Sequence, residues 1–121
     1  MREQVKKTMV IDVDDTILAT IDRDYDNSVP IFPVVEKLRE ARSLGWHIIL
    51  FTARGMGRSN GNIESVREEV TQEIESFCSR FDVPYDEIIL GKPWAAMYVD
   101  DKGLRPDEFA KIDLQEWAPK L

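Results

Sequence analysis

VIDVDDTIL, residues 10–18, runs from an apolar strand-like stretch into three aspartates within four positions. Buried strands do not ordinarily end in clustered like charge. Two carboxylates a few ångströms apart repel by about 4 kcal/mol even at a moderate effective dielectric. A metal cation, a shared proton or open solvent could offset that repulsion, and the rest of the chain has to choose among them. Residues 8–13 (TMVIDV) read as the strand that carries the cluster to its carboxyl end.

Outward from this strand, residues 17–31 (ILATIDRDYDNSVPI) are turn-rich and are expected to form a small hairpin or flap. Pro33 suits a helix start. Val34, Val35, Leu38 and Ala41 share one helix face, and Gly45 closes that helix. Residues 46–51 (WHIILF) are a second apolar strand, followed by the Gly-rich loop TARGMGRSNGN, residues 52–62. Ile63, Val66, Val70, Ile74, Phe77 and Phe81 then recur at helical spacing, with Asn62 as N-cap. Residues 87–90 (EIIL) read as a third strand. Residues 96–101 (AMYVDD) read as a fourth, again ending in two aspartates. The tail, residues 104–121, is expected to hold a short helix or turn and a segment packed through Leu114 and Trp117.

Strands alternating with helices imply an α/β fold, a three-layer Rossmann-like sandwich with a mostly parallel central sheet. With 121 residues the chain fits one domain, residues 1–121. In such sheets the ligand site lies beyond the carboxyl ends of the strands. Asp12, Asp14, Asp15, Thr52, Lys92, Asp100 and Asp101 are all assigned to that edge. With a divalent cation the set makes a phosphoryl-transfer site. Carboxylates are the hard oxygen ligands Mg²⁺ prefers. The Thr52 hydroxyl and the Lys92 ammonium suit phosphate oxygens.

The string Asp12-Val13-Asp14-Asp15-Thr16, a strand ending in Thr52, then Lys92, then Val99-Asp100-Asp101 resembles the four motifs of the haloacid dehalogenase superfamily of phosphatases. The resemblance covers about residues 8–106. DYDN, FTARG, GKPW and YVDDKGLRP are similar to the small capsule-biosynthesis type within it. The resemblance implies that Asp12 attacks phosphorus and forms an aspartyl-phosphate. Asp14 would serve as general acid, then base. Mg²⁺ would be held by Asp12, the Asp14 main-chain carbonyl and Asp100, with Asp101 either beside the metal or orienting Lys92. Members often carry a cap domain; the gaps here leave no room for one, so the site should be open, and an open site suits a large substrate or a cover from a neighbouring subunit in a homo-oligomer.

Other residues carry weaker expectations. Arg54 is the candidate for a second anionic contact. Tyr25 and Asn27 in the flap could touch the leaving group or be an ordinary hairpin tip. The 54–62 loop lacks the P-loop ending and serves equally as connector or substrate loop. His47, the one histidine, lies at the wrong end of its strand. Asp15 reads as structural. The lone Cys78 excludes an internal disulfide, suits packing, and fits a reducing, cytoplasmic setting.

A net charge of −7 with scattered bases argues against a nucleic-acid surface. No segment approaches the ~20 apolar residues of a membrane span, and Asp12 interrupts the apolar stretch that a signal peptide would need. The resemblance implies a small-molecule phosphate ester as partner, a sugar phosphate before a nucleotide, with Mg²⁺ as cofactor. A receiver-type phospho-acceptor domain would place its acceptor Asp mid-chain, where this chain has Thr52. A silent metal-binding or interaction module on the same fold would break a motif, and none is broken. A phosphomutase would need a closed site to exclude water.

Overall fold

The computed structural model describes residues 5–117. Three strands, β1 (Thr8–Ile11), β4 (His47–Phe51) and β5 (Glu87–Ile89), form a parallel sheet in the order β1-β4-β5. Val10 sits beside Ile49, and Ile49 beside Glu87. Between β1 and β4 comes the flap, an antiparallel pair of β2 (Leu18–Ala19) and β3 (Val29–Pro30). A single 3-10 turn, Tyr25–Asn27, forms its tip. The tip is tied down by Arg80, whose Nη1 donates to the Asp26 carbonyl at 3.0 Å.

Helix α1 (Phe32–Ser43) begins with Pro33 in its first turn and buries Val34, Val35, Leu38 and Ala41. Helix α2 (Arg67–Phe81) buries Val70, Ile74, Phe77 and Cys78. It starts four residues later than its periodicity suggests. Ile63–Val66 form a 3-10 turn, and Asn62 makes no side-chain cap. The two crossovers step across the sheet in the same direction. Right-handed connection then puts both helices on one face. Strand alternation agrees: Ile11, Ile48 and Leu50 are buried toward the helices, whereas Val10 and Ile89, on the other face, are 61% and 42% exposed. The parallel sheet with helices packed against it is the expected Rossmann-like α/β arrangement.

The second departure is larger. Residues 96–101 form no strand; the sheet has three strands among the described residues, and Met97, Tyr98 and Val99 are exposed. Helix α3 (Pro106–Lys111) follows, its start held by the Arg105 N–H donating to Glu108 Oε1 at 2.8 Å. The chain after it returns to α1, where Lys37 Nζ donates to the Ile112 carbonyl at 2.7 Å. Leu114 is buried as expected, but Trp117, expected to pack beside it, is exposed. No helix among the described residues is long and apolar enough to cross a membrane.

Candidate active site

The carboxyl ends of β1, β4 and β5 meet at one edge, as parallel pairing requires. After β1 the backbone turns sharply. Ile17 N–H donates to the Val13 carbonyl at 2.9 Å and Asp15 N–H to the Leu18 carbonyl at 2.7 Å. Asp15 takes a left-handed conformation, φ 60°, that a short polar residue tolerates. Its role is thus the structural one read from sequence. The turn leaves Asp12 and Asp14 on the same edge, each with about a third of its side chain open to solvent.

Asp12 is approached by two groups. Thr16 Oγ1 donates to its Oδ2 at 3.4 Å, and Lys92 Nζ lies 3.6 Å from its Oδ1. Burial pushes the Asp12 carboxyl above its ordinary value; the Lys92 ammonium opposes that without cancelling it. Lys92 reaches the edge because its N–H continues the β5 ladder, donating to the Thr52 carbonyl at 3.1 Å. Its ammonium also lies over the Tyr98 ring, 4.2 Å from the centroid, and the Tyr98 hydroxyl donates to the Pro93 carbonyl.

Asp14 has a different partner. Arg54 grips it with a fork, Nε to Oδ2 at 3.1 Å and Nη2 to Oδ1 at 2.7 Å. The same guanidinium reaches Glu73 of α2 at 3.4 Å and stacks 4.1 Å from the Tyr25 ring centroid. Arg54 is only 6% exposed. In the structure Arg54, the expected anionic contact, directs Nε and Nη2 to Asp14 and Nη1 to Glu73. Arg58 stacks against the same Tyr25 at 5.2 Å and pairs with Glu69 and Glu73 at 2.7 and 3.0 Å. The Glu73 hydrogen bond, ahead of every other influence, holds the Arg58 guanidinium still more firmly protonated. The Tyr25 ring thus has two guanidiniums within cation–π reach. Asn27 turns away, donating to Asp24 Oδ2 at 2.7 Å within the flap.

Thr52 is almost fully buried. Its hydroxyl accepts from the Arg54 N–H at 3.0 Å, which leaves its own proton for another acceptor. The Gly-rich loop packs because of its glycines. Gly55 has φ 91°, and a Cβ there would come within 2.9 Å of Val70. A Cβ on Gly57 would come within 2.9 Å of the Trp94 ring. His47 is at the far end of the sheet, its Nε2 2.6 Å from Glu87 Oε2.

Asp100 and Asp101 do not join this set. Asp100 Oδ1 accepts from the Lys102 N–H at 2.7 Å, inside its own exposed loop, and Asp101 lies 3.4 Å from Lys102 Nζ. Among the described residues no three His, Cys, Asp or Glu side chains come together to hold a metal ion. Of the carboxylates expected to hold the cation, Asp12 stands at the strand end, while Asp100 and Asp101 lie in a separate exposed loop. Within a single chain the residues therefore do not fit the expected Mg²⁺ site. The two strand-end carboxylates are instead faced by two cations, Lys92 and Arg54.

Sequence reading missed Glu73, which serves both arginines. A signal existed, since Glu73 falls three residues after Val70 and four before Phe77, within the apolar stripe of α2. The Arg54–Asp14 fork had no such local signal, because its partners are 40 residues apart.

No protein-family model matches the chain, and no curated protein matches it either. Among solved structures, a chain of the Pnkp1/Rnl/Hen1 complex is 24% identical with a TM-score of 0.52, over 88% of this chain and 34% of that one. That likeness shows the fold alone. The crystal structure of a target protein from Vibrio cholerae is 38% identical, with a TM-score of 0.85, over 91% of this chain and 92% of that one. At that identity and near-complete coverage, the chain belongs to the same family as this Vibrio cholerae protein.

Proposed function

We propose that the chain is a phosphomonoesterase of the haloacid dehalogenase type, working through Asp12. One observation carries the reading. A solvent-accessible carboxylate at the end of the first parallel strand is held between a hydroxyl and an ammonium, with a second carboxylate fixed beside it by a buried arginine.

In this reading an Asp12 oxygen forms a bond to phosphorus as the bond to the leaving oxygen breaks. The leaving oxygen takes a proton from Asp14. Water then attacks the aspartyl-phosphate, Asp14 accepts a proton from it, and orthophosphate and Asp12 are regenerated. Lys92 offsets charge on the phosphoryl oxygens, and the remaining Thr52 proton is a donor to the same group. Arg54 acts through Asp14, fixing its direction, and Tyr25 acts through Arg54. No step is routed through Mg²⁺, whose ligands one chain does not gather. The cation stays part of the proposal through the dependence of activity on it.

The substrate class is a small phosphate ester. The YVDDKGLRP and GKPW resemblance favours a sugar phosphate of surface-polysaccharide synthesis over a nucleotide. A cytoplasmic setting goes with this, since a single cysteine leaves no internal disulfide. The test is phosphate release from sugar phosphates, nucleotides and an aryl phosphate, with and without Mg²⁺. Metal-dependent release ranked toward sugar phosphates is expected. Folded protein that releases none would overturn the reading.

A further inference from the structure

We propose that residues 96–101 complete the sheet of a second copy of this chain, delivering Asp100 and Asp101 to that copy's site. The inference starts from two unmatched surfaces. In a parallel ladder alternate residues direct their backbone groups to opposite sides. Those of Val10 in β1 therefore face away from β4, where no strand stands among the described residues. Such an open edge is a template for strand addition. The other surface is the arm after Lys92. Residues 93–104 make no backbone–backbone hydrogen bond with any described residue. Trp94, Met97, Tyr98 and Val99 are all exposed, Val99 at 87%. Met97, Tyr98 and Val99 make an apolar stretch that suits a strand and lacks a neighbouring one.

That neighbour is not within the same chain's reach. To pair with β1 in parallel, the arm must cross three strand spacings, about 14 Å. It must also return about 15 Å along the strands to start level with Thr8. The diagonal is roughly 20 Å. Lys92 is pinned by its N–H to Thr52, and the four residues from there to Ala96 span at most about 14 Å. Antiparallel entry would be short enough, but it would carry Asp100 to the wrong end of the sheet. Only a strand from another molecule can lie parallel to β1 with Asp100 beside Asp12.

The occupant is a second copy because each chain has both halves, an open edge and an arm that ends in two carboxylates. A two-fold arrangement satisfies both at once. It also accounts for the incomplete ligand set, since Asp12 lies at the end of the strand that gains the neighbour. The carboxylate assignment rests on the phosphatase reading; the strand exchange does not.

Light scattering after size exclusion tests the exchange. Wild type should be a dimer or a multiple of one. Adjacent strand residues point their N–H groups to opposite sides, so of Tyr98→Pro and Val99→Pro at least one removes a ladder donor and should yield folded monomer by circular dichroism. A monomeric wild type, or both variants assembling as wild type does, would overturn it. The second arm uses p-nitrophenyl phosphate and Mg²⁺. Asp12→Asn and Asp100→Asn should each be inactive alone. Unfolded and refolded together, they should recover about a quarter of the wild-type rate, because half the dimers are mixed and one site in each is intact. A mixture that stays inactive beside an active wild type would overturn donation of Asp100. Should wild type itself release no phosphate, the phosphatase reading fails, and light scattering alone decides the exchange.

Discussion

Replacing Arg54 with methionine removes the one cation shared by Asp14, Glu73 and the Tyr25 face. Breaking a fully buried ion pair from one side costs about 3–5 kcal/mol, because the other charge is stranded. Here the guanidinium is buried, but Glu73 keeps Arg58 at 3.0 Å, and the stranded Asp14 keeps 35% of its side-chain exposure. Water will screen Asp14, so the expected loss is about 2–3 kcal/mol. At about 2.1 cal/mol/K per residue, a chain of this length has an unfolding entropy near 0.25 kcal/mol/K. The loss then lowers Tm by roughly 10 °C. Arg54→Lys should fall between, since it keeps the charge but loses the fork and the flat stack. Thermal unfolding followed by circular dichroism reads all three proteins. In a double-mutant cycle, Asp14→Asn should cost much less in the Arg54→Met background than alone. A Tm within 2 °C of wild type for Arg54→Met, or strict additivity in the cycle, would refute this account of how Asp14 is held.

Asp12→Asn should raise Tm at neutral pH in the absence of metal, because burial makes the ionised carboxylate unfavourable in the fold. The sign follows from linkage: a raised folded pKa means stability falls as pH rises from the unfolded value of 3.8. The gain should vanish near pH 3, where the group is protonated in both states, and a lower Tm for the variant at pH 7 would show that the Lys92 pairing dominates. Asp86 behaves oppositely. Its hydrogen bond from Arg42, at 3.0 Å, and one from the Ile48 N–H, at 2.7 Å, hold its carboxyl below the ordinary range. Its contribution is present above 3.8 and is lost as pH falls through the depressed folded value, so Asp86→Asn should cost about 1 kcal/mol at pH 7 and little at pH 2 in urea titrations. Gly55→Ala should cost about 2–3 kcal/mol, from a positive φ and a Cβ driven against Val70, and an unchanged urea midpoint would count against the loop packing described.

The strand ends and both long helices were legible because their signals are local. The stripe Val70, Ile74, Phe77 marks α2 wherever the chain goes, and a strand that stops in Asp12 stops there in any context. The start of α2 was less legible because Ile63 and Val66 continue the apolar spacing through a 3-10 turn that serves Gly55 packing. Residues 96–101 show the limit of local reading. Their composition suits a strand, but a strand exists only beside another, and the short link from Lys92 decides which edges it can reach. The Arg54 fork was hidden for a similar reason. An arginine after a strand can face an anion or a neighbouring carboxylate, and the choice rests on Asp14, Glu73 and Tyr25 arriving from three other elements.

The central claim is that Asp12 carries the phosphoryl group. Acid-quenched protein taken during turnover of p-nitrophenyl phosphate, digested and measured by mass spectrometry, tests it most directly. The account predicts one added phosphoryl group on the peptide containing Asp12, discharged by water over time, and neither label nor turnover in Asp12→Asn. Turnover that persists in Asp12→Asn, or a phosphoryl group on any other residue, would contradict it.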